Sequence, residues 1–178
     1  EAEVGLVEKK SFTTCNFCLR SGAVLPEVTI AYETYGRLAS DGRNAILITH
    51  GYTNNQHAAG RYANSDPQPG WWDGVIGPGK AIDTDKYFVI SIDTLLNVNT
   101  KDPNVKTTGP STINPDTGKP YGMTFPVVSF RDFVNVQKAL LDSLGIKKLV
   151  AVAGASGGGG PRAARELESA RRRRRAAL

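Results

Sequence analysis

The 178 residues carry 40% hydrophobic and 22% charged side chains, the make-up of one globular domain with its own core. No apolar run approaches the roughly 20 residues that span a bilayer, and the opening Glu1-Ala-Glu-Val has no leader-like basic and apolar pattern, so a cytoplasmic protein without membrane contact is expected. The net charge of +5 argues against a nucleic-acid partner rather than for one: seven of the 22 basic residues and two of the 17 acidic ones lie after Pro161, which leaves the body of the chain neutral.

Residues 10–19 and 27–35 are rich in Thr, Val, Ile, Phe and Tyr, with Ser21-Gly22 and Leu25-Pro26 between them, a pattern that predicts an antiparallel hairpin or meander. Cys15 and Cys18 form a Cys-x-x-Cys in the first of these segments. A zinc site needs two more ligands, and the two histidines, His50 and His57, are far away in sequence. A redox motif belongs at a strand-to-helix junction, whereas here a turn follows, so the cysteines are taken as half-buried strand residues with no metal expected.

Residues 44–49 form a continuous apolar run, as in a strand covered on both faces, and His50-Gly51-Tyr52 follows directly. Gly74-Val-Ile-Gly-Pro-Gly-Lys80 matches the first seven positions of a phosphate-binding loop. Ala81 stands where that motif needs Ser or Thr, Pro78 removes a backbone donor, and no apolar strand precedes it, so nucleotide binding is rejected in favour of a loop with a short helical turn anchored by Trp71 and Trp72. A second buried strand is expected over 87–93, and the Pro-, Asn- and Gly-rich segment 94–125 as an irregular covering over the core. Ser129 as N-cap with Asp132 three residues on opens a helix whose apolar face is Phe133, Val136, Leu140 and Leu144, ended by Gly145.

Residues 148–153 make a last apolar strand that runs into Gly154-Ala-Ser156-Gly-Gly158. A serine between glycines after a buried strand is the pattern of a nucleophile elbow, a turn so tight that only small neighbours fit. The following segment would aim free backbone N–H groups at a developing oxyanion. Acyl transfer through Ser156 is expected, with an oxyanion hole made by the backbone N–H groups of Gly157 and of Tyr52, since the loop after the third strand supplies the second donor in such sites. His50, before a glycine at a strand end, is given a structural role in shaping that loop. Strands joined by crossovers after an antiparallel start predict an α/β fold with a mostly parallel central sheet.

The chain resembles the α/β-hydrolase fold and, more narrowly, the homoserine O-acetyltransferase family with its esterase-like relatives. The resemblance rests on Tyr32-Glu-Thr-Tyr-Gly36, Gly70-Trp-Trp-Asp73, Ile76-Gly-Pro-Gly-Lys-Ala-Ile-Asp-Thr-Asp85, Tyr87-Phe-Val-Ile90, Thr108-Gly-Pro-Ser-Thr-Ile-Asn-Pro115, Thr117-Gly-Lys-Pro-Tyr-Gly122 and Ser129-Phe-Arg-Asp132. It implies ping-pong transfer in which Ser156 takes an acetyl group from acetyl-CoA, a co-substrate rather than a bound cofactor, and passes it to a small acceptor such as L-homoserine. A carboxylic-ester hydrolase or a catalytically silent truncated domain are the alternatives, and the complete protein of such a family would be a homodimer.

Two departures stand out. The segment Thr94-Leu-Leu-Asn-Val-Asn-Thr-Lys-Asp-Pro103 differs from the Asn-rich, Gly-Gly segment of the family's acetyltransferases and resembles a homoserine-acetyltransferase-like subgroup whose acceptor it does not identify. The triad acid and histidine of this fold follow the nucleophile in chain order, yet both histidines precede Ser156. Residues 1–160 are thus expected to form the N-terminal part of an α/β-hydrolase domain. Residues 161–178, with five consecutive arginines, form an atypical Arg-rich tail that cannot pack under a sheet as the family's helix does. A chain of this extent is expected to leave an open sheet edge and to aggregate or depend on further residues.

Overall fold

The computed structural model describes residues 3–154. Nine strands and two helical segments are found there: β1 (Lys10–Cys18), β2 (Val24–Tyr35), β3 (Ala45–Thr49), β4 (Ile76–Gly77), β5 (Ile82–Asp83), β6 (Phe88–Ile92), β7 (Ile113–Asn114), β8 (Lys119–Pro120), a 3₁₀ turn at Gly122–Thr124, the helix α1 (Phe130–Ser143) and β9 (Leu149–Gly154). Five strands form the main sheet in the order β1-β2-β6-β3-β9. β2 is antiparallel to both β1 and β6, while β3 is parallel to both β6 and β9, so four strands share one direction and β2 alone opposes them. This is the expected mostly parallel sheet with an antiparallel start.

All five residues of β3 are buried, and the side-chain alternation of the strand divides them between two cores. Ala45 and Leu47, with Ile90 and Ile92 of β6 and Val28 and Ile30 of β2, face α1, which contributes Val134, Val136, Leu140 and Leu141. Ile46, Ile48 and Val89 face the opposite way, with Tyr35, and are covered by Ala58, Ala59 and Ile76 and flanked by Trp71 and Trp72. The apolar run of 44–49 is continuous because both faces of this strand are covered.

Helix α1 begins where its sequence predicts. The buried Asp132 carboxylate accepts the Ser129 N–H at 2.7 Å and the Ser129 hydroxyl at 3.0 Å on one oxygen, and the Arg20 N–H at 2.8 Å on the other. One side chain therefore caps the helix and ties it to the β1–β2 turn. Asp132→Ala leaves three donors to find new acceptors and should cost about 2–3 kcal/mol, read as a lowered urea midpoint with unchanged slope. The apolar face is broader than the expected stripe: Val134, Gln137 and Leu141 are buried beside Val136 and Leu140, while Phe133 and Leu144 are half-buried.

The cysteines correct one expectation. Cys15 and Cys18 are exposed free thiols, not half-buried. β1 is an edge strand, and Asn16 between them has φ +52°, a left-handed residue that breaks the in–out alternation. Among the described residues, no three His, Cys, Asp or Glu side chains are grouped to hold a metal ion, and no helix is long and apolar enough to cross a membrane.

The Gly74–Lys80 segment is occupied internally. Lys80 Nζ donates to the Asp73 carbonyl at 2.6 Å and lies 3.6 Å from its carboxylate, and the loop is closed by the short β4–β5 pair. Trp71 and Trp72 stack at 5.2 Å, and the Trp71 indole N–H donates to the Asn55 carbonyl at 3.0 Å.

Candidate active site

The carboxyl ends of β3, β6 and β9 lie side by side, and the chain leaves β3 first toward β6 and later returns on the other side as β9. Such a reversal opens a crevice at the strand ends, where sheets of this type place their chemistry. Thr49, the last residue of β3, is in register with Gly154, the last of β9. A Cβ at Gly154 would lie 2.2 Å from the Thr49 hydroxyl oxygen and 2.9 Å from its carbonyl. The first glycine of Gly154-x-Ser156 is therefore required by the close approach of the two strand ends.

Tyr52 follows three residues after Thr49, in a turn at this edge, with its side chain 77% exposed. Ser156 and Gly157 lie outside the described residues.

His50 is buried beneath the loop that carries Tyr52. Its Nδ1–H donates to the Gly51 carbonyl at 2.7 Å, and Nε2 lies 3.0 Å from Asp93 Oδ1 at the end of β6. The Thr94 N–H and the Asn97 amide donate to the same Asp93 oxygen at 2.8 and 2.6 Å, and the Asn97 amide also reaches the Asn54 carbonyl at 3.0 Å. His50 thus couples the loop after β3 to the loop after β6, the shaping role expected from its place before Gly51.

A second polar cluster holds the same loop from below. Glu33, fully buried on β2, accepts the Tyr35 hydroxyl at 2.6 Å and the Tyr62 hydroxyl, and His57 Nδ1 lies 3.1 Å from both carboxylate oxygens. The Tyr35 oxygen in turn accepts the N–H groups of Ala58 and Ala59, each at 3.1 Å. Its one proton goes to Glu33 and its two lone pairs to the loop, so the hydroxyl is fully used. The His57 and Tyr62 rings stack at 4.0 Å. The Asn55 amide donates to Asp102 at 2.5 Å and the Gln56 amide to the Asn104 carbonyl at 2.6 Å, which ties segment 54–57 to the long covering loop.

Glu33, Tyr35, Tyr62 and Asp93 are not singled out by reading the sequence. A signal exists at Glu33: it shares the inward β2 positions with Ala31 and Tyr35, where an acidic residue needs buried donors. Asp93 closes a predicted strand and carries no such mark.

Burial, and then the adjacent Glu33 carboxylate, push the Tyr35 and Tyr62 hydroxyls above the ordinary value of 10.0. The folded protein therefore holds these protons more tightly than the unfolded chain. Their contribution to stability is complete below pH 10.0 and declines as the pH rises beyond it. Thermal melts followed upward from about pH 9 should fall more steeply in the wild type than in Tyr62→Phe, which has no proton to lose at that site.

No family model matches the chain. It is 57% identical over 154 residues to the homoserine O-acetyltransferase of Methanosphaerula palustris, an alignment that covers 86% of this chain and 30% of that protein. The crystal structure of esterase E22 superposes with a TM-score of 0.82 at 58% identity, covering 86% of this chain and 42% of the other. The homoserine O-acetyltransferase of Bacillus anthracis superposes with a TM-score of 0.82 at 48% identity, covering 86% and 41%. The chain spans about a third of the length of the first of these relatives and about two fifths of the two solved structures.

Proposed function

The chain is a relative of the homoserine O-acetyltransferases and of esterases that share their α/β-hydrolase fold, and from that kinship we propose that it supplies the nucleophile-bearing part of a serine O-acyltransferase. The observation that carries the reading is the register of Thr49 with Gly154, which sets the loop bearing Tyr52 beside the strand end that leads to Ser156. Ser156 Oγ attacks the acetyl carbonyl of acetyl-CoA, the carbon–sulfur bond breaks, and the CoA thiol leaves with a proton. The hydroxyl of L-homoserine then attacks the acetyl-serine and releases Ser156. The N–H groups of Tyr52 and Gly157 stabilise the negative oxygen in both steps.

A general base must accept the serine proton. His50 and His57 are committed to Gly51 with Asp93 and to Glu33, respectively, beneath the loop. The base and its acid partner are therefore assigned to the whole protein beyond Ser156, in the order Ser, acid, His that this fold uses. An enzyme that draws on acetyl-CoA for biosynthesis would work in the cytoplasm.

Hydrolysis is the second reading, favoured by the 58% identity to esterase E22. The same nucleophile and oxyanion donors serve both, and they differ in whether an amino-acid hydroxyl outcompetes water. A chimera in which residues 1–160 of this chain replace the matching part of the Bacillus anthracis protein tests the assignment. With acetyl-CoA and L-homoserine it should form O-acetylhomoserine, and with Ser156→Ala it should not. Release of acetate alone, independent of homoserine, would select the esterase.

A further inference from the structure

β3 ends in Thr49, and the chain leaves it through His50-Gly51-Tyr52. The peptide that joins Gly51 to Tyr52 carries two groups of opposite use: the Gly51 carbonyl, and the Tyr52 N–H proposed as an oxyanion donor. The bond is trans, as every described peptide bond is, so the two groups point in opposite directions. Whatever holds the carbonyl therefore aims the N–H.

The carbonyl is held from inside. His50 is 6% exposed, and its Nδ1–H donates to the Gly51 oxygen at 2.7 Å, while the Asn54 N–H donates to the same oxygen at 3.0 Å and closes a tight turn. The ring is anchored at its other end, because Nε2 lies 3.0 Å from Oδ1 of Asp93, which is fully buried directly after β6. Asp93 is fixed in turn by the Thr94 N–H and the Asn97 amide. The Gly51 oxygen thus faces the buried ring, and the Tyr52 N–H faces the other way, where it meets no acceptor among the described residues. A backbone donor without an acceptor, on an exposed residue at the carboxyl ends of β3 and β9, is what a developing negative oxygen requires.

We infer that His50, within the acyl transfer proposed above and resting on that reading, is a positioning residue: through Nδ1 it sets the orientation of the Gly51–Tyr52 peptide and so directs the Tyr52 N–H at the reacting carbonyl. His50 touches no substrate and takes no proton. Its effect is confined to the transition state, where the negative oxygen forms. Losing it therefore lowers the maximal rate of acylation and leaves the binding of acetyl-CoA unchanged.

Two substitutions separate the contacts of the ring: in His50→Asn the amide nitrogen takes the place of Nδ1, and in His50→Gln that of Nε2. Gly51-Tyr52 is the only Gly-Tyr pair in the chain, so carbonyl-13C glycine with 15N tyrosine gives a single correlated resonance. The Gly51 carbonyl should keep its shift in His50→Asn and move upfield in His50→Gln, as for an oxygen that loses a donor. In the wild type the Tyr52 N–H should exchange with water as fast as an unbonded amide, and slow exchange would overturn the inference without any variant. In the chimera of residues 1–160, His50→Gln should lower the maximal rate of Ser156 acetylation by about 100-fold, with the half-saturating acetyl-CoA concentration unchanged, and His50→Asn by less than about tenfold. Equal carbonyl shifts and equal rates in the two variants would make His50 a packing residue and overturn the positioning role. A wild-type chimera that takes up no acetyl group would overturn the acyl-transfer reading instead, and the carbonyl shift would still decide the orientation of the peptide.

Discussion

Glu33→Ala should destabilise the protein by about 3–5 kcal/mol, the range for removing one partner from a buried charged cluster. The loss exceeds that of one hydrogen bond because three groups converge on this carboxylate. The Tyr62 hydroxyl and the His57 ring nitrogen would lose this acceptor, and the Tyr35 hydroxyl would be left with the Gln56 carbonyl at 3.5 Å. The Tyr35 hydroxyl would also be free to rotate away from Ala58 and Ala59, which it now accepts from. Glu33→Gln keeps an acceptor oxygen but turns an amide toward one donor, so it should fall between wild type and Glu33→Ala. Chemical denaturation of the three proteins gives this order directly. Equal stability of Glu33→Ala and wild type would mean that the cluster does not hold the loop after β3.

Gly154→Ala should be the most damaging small substitution at the strand ends. The added methyl would meet the Thr49 hydroxyl oxygen at 2.2 Å and the Thr49 carbonyl at 2.9 Å, so β3 and β9 must separate or shift. Overpacking of this kind costs about 1–3 kcal/mol. A movement of even 1 Å at the strand end that leads to Ser156 can lower an enzyme's rate by about 100-fold. Removing the nearer obstacle should give part of this back: Gly154→Ala with Thr49→Ala should be more stable than the sum of the two single losses predicts. Strict additivity would place the strain elsewhere.

Much of the fold is legible in the residues because its rules are local. The run 44–49 announces a strand covered on both faces, and the structure buries every residue of Ala45–Thr49. Ser129 and Asp132 announce the helix start, and their side chains close it. The partner that makes Asp132 more than a cap, the Arg20 N–H, is 112 residues away and could not be inferred from spacing. The same limit hides the site's supports. Glu33, His57 and Tyr62 meet only when β2 and the loop after β3 are folded together, and nothing in the local pattern around Tyr62 marks it. The cysteines fail for a different reason: Cys15 lies on the outward face of the edge strand β1, and the left-handed residue at Asn16 turns Cys18 outward as well. The glycine at 154 was legible as part of a motif, but the atom it makes room for, on Thr49, is a tertiary fact.

The most direct test of Ser156 as the acyl-accepting nucleophile is the mass of the acylated protein. The chimera carrying residues 1–160 of this chain is incubated with acetyl-CoA without acceptor, and its intact mass and peptides are compared with those of Ser156→Ala. One added acetyl group is expected, located on the peptide containing Ser156, absent from the variant and discharged when L-homoserine or water is allowed to react. A folded chimera that gains no acetyl group, or one that is acetylated equally with Ser156→Ala, would contradict it.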